Sequence, residues 1–169
     1  MLIQSSTILT LPVAATDSQS LIGHVKQIII DPQNGELLGF IVKPAGIFAK
    51  DKILSRQDII EIDRNGIVTK SEENLLEPDE VVRINKIINS NIKIIGQNAY
   101  TESKKNLGKI NDLIIDTEKQ IIDKYYVHSM FEEKILPHYK VVKINERGVF
   151  FSDDVIEQTP AAEVEGAAA

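Results

Sequence analysis

Cysteine and tryptophan are absent from the 169 residues, and aromatic side chains make up only 5%. Without cysteine there are no disulfides, no thiolate nucleophile and no Cys-based zinc site. No stretch approaches the roughly 18 consecutive apolar residues of a membrane span. The opening Met1–Pro12 lacks the basic start of an export signal, so a cytoplasmic protein without a membrane span is expected. Positive charge is not in excess either. The net charge is −6, residues 9–70 carry seven basic and seven acidic side chains, and residues 94–152 carry nine and eight. The acidic surplus sits in Glu72–Glu80 and Asp153–Glu165. Direct nucleic-acid binding is therefore not expected. GxSxG, GxxxxGK[ST] and HExxH are all missing, and Gly35 and Gly39 lack the strand–loop–helix setting of a dinucleotide fingerprint. The chain is expected to be no enzyme and to need no cofactor.

What is present is a repeat. Shifted by 85 positions, Ala14, Thr16, Ser18, Gly23, Ile29, Ile30, Asp31 and Val42 fall on Ala99, Thr101, Ser103, Gly108, Ile114, Ile115, Asp116 and Val127. Further on the shift is 82, and Ile53, Leu54, Ile62 and Gly66 fall on Ile135, Leu136, Ile144 and Gly148. One structural unit is present twice, and a unit this small buries too little surface to be robust alone. The copies are expected to pack together, or each on the segment joining them.

Gly23–Asp31 alternates and then runs apolar, Asp31-Pro32-Gln33-Asn34-Gly35 stacks turn formers, and Glu36–Lys43 returns. This is a hairpin. Gly108–Asp116 and Ile121–His128 repeat it with a turn that has lost its proline and glycine. Short strands follow at Lys52–Leu54, Ile59–Asp63 and Ile67–Lys70, and at Lys134–Leu136, Val141–Asn145 and Val149–Ser152. Many short strands with tight turns indicate a small antiparallel barrel. Between the copies, Pro78-Asp79-Glu80 followed by Val81, Ile84 and Ile88 predicts an amphipathic helix over Asp79–Asn89 with its apolar face on a barrel.

The stretches LIGHVKQIIIDPQNGELLGFIV and KILSRQDIIEIDRNGIVT, echoed by NLGKINDLIIDTEKQIIDKYYV and KILPHYKVVKINERGVFF, resemble the PRC-barrel. The resemblance implies a mainly β chain of two small antiparallel barrels in tandem joined by one helix. It divides the chain into 1–76, a linking helix 77–92, a second barrel 93–155 and a disordered tail 156–169. It also implies a non-enzymatic adaptor that binds another protein with two related barrels. Alternatives are a ribosome-assembly factor contacting a small-subunit protein, a small-ligand or metal binder, and an envelope or cell-division adaptor.

Several residues admit a chemical role beside a plainer one. Asp31 and Asp116 occupy the same place in both copies, where a carboxylate commonly accepts turn N–H groups. His128 and His138, with Glu132 or Glu133, are a conceivable metal set, but their spacing lacks the i, i+4 pattern and ordinary strand histidines are the expectation. Tyr125 aligns with Phe40 and is expected in the core, with Tyr126 on the opposite face. Phe48, Tyr126, Met130, Phe131 and Tyr139 are the candidate interface, set against ordinary loop packing. No residue is assigned to catalysis, cofactor or metal.

Overall fold

The computed structural model describes residues 1–156. The expected disordered tail, apart from Ile156 at the end of a final 3-10 turn, lies outside the described residues. The chain opens with a strand, β1 (Leu2–Gln4), and one helical turn, α1 (Ser5–Ile8). Then come β2 (Pro12–Ala15), β3 (Ser20–Ile30), β4 (Leu37–Pro44), β5 (Lys52–Ser55), β6 (Ile59–Ile62), β7 (Ile67–Thr69) and the two-residue β8 (Leu75–Leu76). Helix α2 (Val82–Ser90) leads into β9 (Asn98–Thr101), β10 (Asn106–Asp116), β11 (Ile121–His128), β12 (Glu133–Pro137), β13 (Val141–Asn145) and β14 (Gly148–Phe151).

The strands form two seven-stranded sheets of matching order. The first runs β6-β7-β2-β3-β4-β5-β8, and the second runs β13-β14-β9-β10-β11-β12. β1 belongs to neither path: it crosses to the second unit and pairs antiparallel with β10, Ile3 opposite Ile115. Even the irregularities repeat. The breaks in register at Val25/Gln27, Ile29/Ile30 and Ile59/Glu61 recur at Ile110/Asp112, Ile114/Ile115 and Val141/Lys143. Bulges bend and twist a strand locally, so equal placement gives both hairpins the same curl.

Three expectations need correction. The sheets are not wholly antiparallel, because β2 runs parallel to β7 and β9 parallel to β14. Partners fifty or more residues apart leave no trace in local alternation. The 85-residue shift also fails in the first strand. Val13 faces Gly23 on one neighbour and Ile67 on the other, and Ala99 faces Gly108 and Val149 likewise. Val13 thus corresponds to Ala99, and the alignment of Ala14 with Ala99 is one place off. Four residues separate the paired Ala15 and Ser20, against three between Thr101 and its hydrogen-bond partner Lys105, which absorbs the slip. Finally, the helix expected at Asp79–Asn89 is two pieces. A 3-10 turn at Pro78–Glu80 is closed by Glu80 accepting from the Glu77 N–H at 2.7 Å, and Val81, at φ −122° and ψ 75°, separates it from α2. Asn91 ends α2 in the left-handed region, which satisfies the last carbonyls.

One continuous apolar core holds the molecule together. It contains Val25, Phe40 and Leu54 of the first unit, Ile110, Tyr125 and Leu136 of the second, and Ile3 and Ile8 from the opening segment. The copies pack together, as the marginal size of each required. α2 lies outside this core and buries Ile84 against Ile29, Leu38 and Ile53.

The units meet about an internal two-fold axis. Glu36 and Ile121 form an antiparallel bridge, flanked by Leu37 N–H to Gln120 O at 2.9 Å and Ile122 N–H to Gly35 O at 3.0 Å. Glu36 and Ile121 are 85 residues apart and hold the same repeat position. A position paired antiparallel with its own equivalent lies on the symmetry axis relating the copies.

Candidate interaction site

The turn between the strands of each hairpin is held by its first aspartate. Asp31 accepts from Gln33 N–H at 2.9 Å, and Asp116 accepts from Glu118 and Lys119 N–H at 3.0 and 3.1 Å. The Lys119 N–H is the main reason the Asp116 carboxyl lies below its usual range, and burial opposes it. Asp31 also receives the Arg83 guanidinium at 2.9 Å, which ties α2 to the first hairpin. Both aspartates serve the turn.

At the far end of each hairpin a loop presents apolar side chains to solvent. Between β4 and β5, Gly46 turns the chain at φ +127° and Phe48 is 96% exposed beside the equally bare Ile47. Between β11 and β12 the loop is three residues shorter and tighter. Ser129 N–H and hydroxyl both donate to the Glu132 carbonyl, at 2.9 and 3.1 Å, and the Glu132 N–H returns to Ser129 Oγ at 3.3 Å. With the backbone closed on itself, Met130 and Phe131 point outwards, 88% and 91% exposed. Polar pairs rim both tips: the ion pair of Lys26 with Asp51 at one, and at the other the ion pair of Lys134 with Glu132 and the contact of His128 with Glu133. Large apolar groups inside a charged rim are the composition of a contact surface.

The five candidate residues do not form one patch. β4 and β11 start at the two-fold axis and run away from it in opposite directions, eight residues each. At about 3.3 Å per residue the Phe48 and Phe131 tips are separated by up to about 50 Å. Tyr126 is half-buried along β11, opposite in face to fully buried Tyr125. Tyr139 is 77% exposed, but it sits on the turn after β12, at the seam between the units.

That seam contains the residue whose role the sequence did not disclose. His138 Nε2 lies 3.0 Å from the Asn34 carbonyl of the first unit, and its Nδ1 lies 2.8 Å from the Tyr125 hydroxyl. A carbonyl only accepts, so Nε2 carries the proton and Tyr125 donates to Nδ1. Burial holds the His138 pKa below its ordinary value, against the opposing pull of the Asn34 carbonyl and the Asp123 charge. Burial also raises the Tyr125 phenol, keeping it a neutral donor. His128 is bound up with Glu133 instead, and His24 is exposed. The histidines are scattered, and among the described residues no group of three or more His, Asp or Glu is placed to hold a metal.

A second unpredicted cluster anchors the opening segment. Asp112 on β10 accepts from the hydroxyls of Ser5 and Ser6 and from the Ser6 N–H at 3.1 Å, fixing α1 on the second unit. Among the described residues no helix is long and apolar enough to cross a membrane.

Comparison with known proteins adds one finding. The family profile of the PRC-barrel domain matches residues 2–76 and 91–154. No curated protein matches the sequence.

Proposed function

We propose, for a chain that belongs to the PRC-barrel family through both of its halves, a non-enzymatic scaffold that presents two separated binding tips to partner proteins. PRC-barrel domains are commonly protein-interaction modules, which supports this reading. The two halves act as two related barrels sharing one core, with α2 as the connection between them. The observation that supports the reading is the bridge at Glu36 and Ile121, from which β4 and β11 run in opposite directions towards equivalent apolar loops on one body. Such a body either bridges two partner molecules or engages two sites on one assembly. In the second case the second contact forms at high effective concentration.

The test is quantitative capture on the intact chain, because the main core is shared by the two halves. Phe48→Ser alone, Met130→Ser with Phe131→Ser, and all three together are compared with the unaltered protein against crosslinked host extract, with enriched proteins quantified. Bivalent engagement predicts a loss of about 10²-fold or more in apparent affinity from either tip alone, and no capture from the triple variant. Full capture by either single-tip variant would sink the two-tip reading.

A further inference from the structure

The two-fold axis makes a prediction about the edges of the sheets. On β10, the edge at Ile114–Asp116 is covered by β1, which pairs Leu2, Ile3 and Gln4 with it. The equivalent stretch of β3 is Ile29–Asp31, 85 residues earlier. Among the described residues no strand pairs with β3 on that side, since its ladder with β2 ends at His24. The segment that stands where β1 would stand is the end of α2 and the turn after it, a helix with no edge to offer.

An apolar groove of about 320 Å³ follows this uncovered edge, floored by Lys26–Ile30 and walled by Leu9, Ile87, Ile88 and Ile92–Ile95. Burial records the missing cover. Ile28 and Ile30 are only half-buried, whereas their equivalents Leu113 and Ile115 are 2% and 0% exposed beneath the opening segment. The charged side chains lining the groove are Lys26 and Lys93, both basic. Gln27, at the position where Asp112 fixes α1 on the other unit, is exposed.

We infer that the β3 edge is a strand-addition site that takes an extended segment of a partner protein, apolar on alternate residues and flanked by acids. Unpaired backbone groups on an edge supply the hydrogen bonds, and the groove takes every second side chain. The chain demonstrates the geometry itself by laying Leu2–Gln4 on the equivalent edge. Among the described residues there are two such edges and one β1, and the end of α2 borders the second edge without pairing with it, which leaves its backbone groups open to another molecule. The acidic flank follows from Lys93, since Lys26 already pairs with Asp51. This site is separate from the exposed tips and adds a recognition chemistry to the partner-binding reading.

The probe is a labelled synthetic peptide, Glu-Glu-Leu-Thr-Ile-Gln-Val-Glu-Glu, titrated by fluorescence anisotropy into the full chain. Two further versions carry N-methyl groups on alternate residues, one on the odd set and one on the even. Strand addition predicts saturable binding, lost by at least tenfold for one methylated set and kept by the other, because only one row of N–H groups faces the edge. Ile28→Lys should weaken binding at least tenfold. Hydrogen exchange on the unaltered chain should slow at Lys26–Ile30 when the peptide is added, a readout that requires no variant. The Phe48→Ser, Phe131→Ser chain should bind the peptide unchanged, so failure at the tips and failure at the groove are told apart. Equal binding of both methylated peptides would make the groove an apolar pocket and overturn the inference. So would no saturable binding up to about millimolar peptide, or a self-associated chain that excludes the peptide and thereby fills the edge with a second copy.

Discussion

His138 of the second unit donates from Nε2 to the backbone carbonyl of Asn34 in the first, at 3.0 Å, while accepting from the Tyr125 hydroxyl. One imidazole thus joins a fully buried phenol to the turn of the opposite copy, in one tautomer and in its neutral form.

This makes stability depend on pH. The folded pKa of His138 is depressed, so the unfolded chain takes up its proton first as pH falls. The stabilisation is complete above about 6.5, the unfolded value, and is lost as pH falls from there through the folded value. Asp116 has the same sign in a lower pH range. Its folded pKa is also lowered, so it stabilises above 3.8 and loses that contribution only below it. Thermal melts should show a first decline starting near pH 6.5, absent in His138→Gln, and a second beginning below pH 4 that persists in that variant.

Gly35 has φ +74°, and a Cβ there would lie 2.3 Å from His138 Cε1. Gly35→Ala should cost about 1–3 kcal/mol, from left-handed strain plus displacement of the imidazole. Adding His138→Ala should recover part of this by removing the clash and leaving the strain. Denaturant melts of the two single variants and the double form the cycle.

The equivalent of Gly35 in the second turn is Gln120, which holds φ +54° with a side chain attached. Gln120→Gly should stabilise by about 0.5–1 kcal/mol, because relief of left-handed strain outweighs the extra backbone entropy of glycine. A lower melting temperature would show that Gln120 has compensating contacts.

Ile8 is fully buried, at the place Ile94 holds in the second unit, and it shares the core with both units. Ile8→Ala should cost about 2–5 kcal/mol. Heat or denaturant should unfold the chain in one transition followed alike by secondary-structure and tyrosine signals, both before and after this change. Fragments 1–90 and 91–156 should each fail to fold alone. Two separate transitions would show that the halves are thermodynamically independent.

Phe48→Ser and Phe131→Ser should leave stability within about 0.5 kcal/mol, since both side chains stand in solvent. The same melts check this, and a large loss would show that the tips pack against something within the chain.

The hairpins were legible because their signals are local. Asp31-Pro32-Gln33-Asn34-Gly35 is a turn wherever it occurs, and the matching burial of Phe40 and Tyr125 follows from alternation along β4 and β11. The exposed loop tips could be found for the same reason. The parallel pairing of β2 with β7 was not legible, since nothing near Val13 specifies Ile67. Identical residues at Ala14 and Ala99 outweighed, in a sequence comparison, the burial pattern that makes Val13 and Ala99 equivalent. The destination of Leu2–Gln4 was hidden because a three-residue strand has no periodicity to read. His138 looked like an isolated polar residue, because the Asn34 carbonyl that gives it meaning lies 104 positions away. A repeat tells that two copies exist and is silent on how they meet.

The bridge between Glu36 and Ile121 has a last consequence. In an association of two identical separate chains, the residue on the axis must face itself, and the assembly falls apart on dilution. Here the two facing positions are encoded separately, so an acid can stand opposite an isoleucine, and one backbone keeps the halves together at any concentration. Each side of the axis is then free to acquire its own surface without losing its mate.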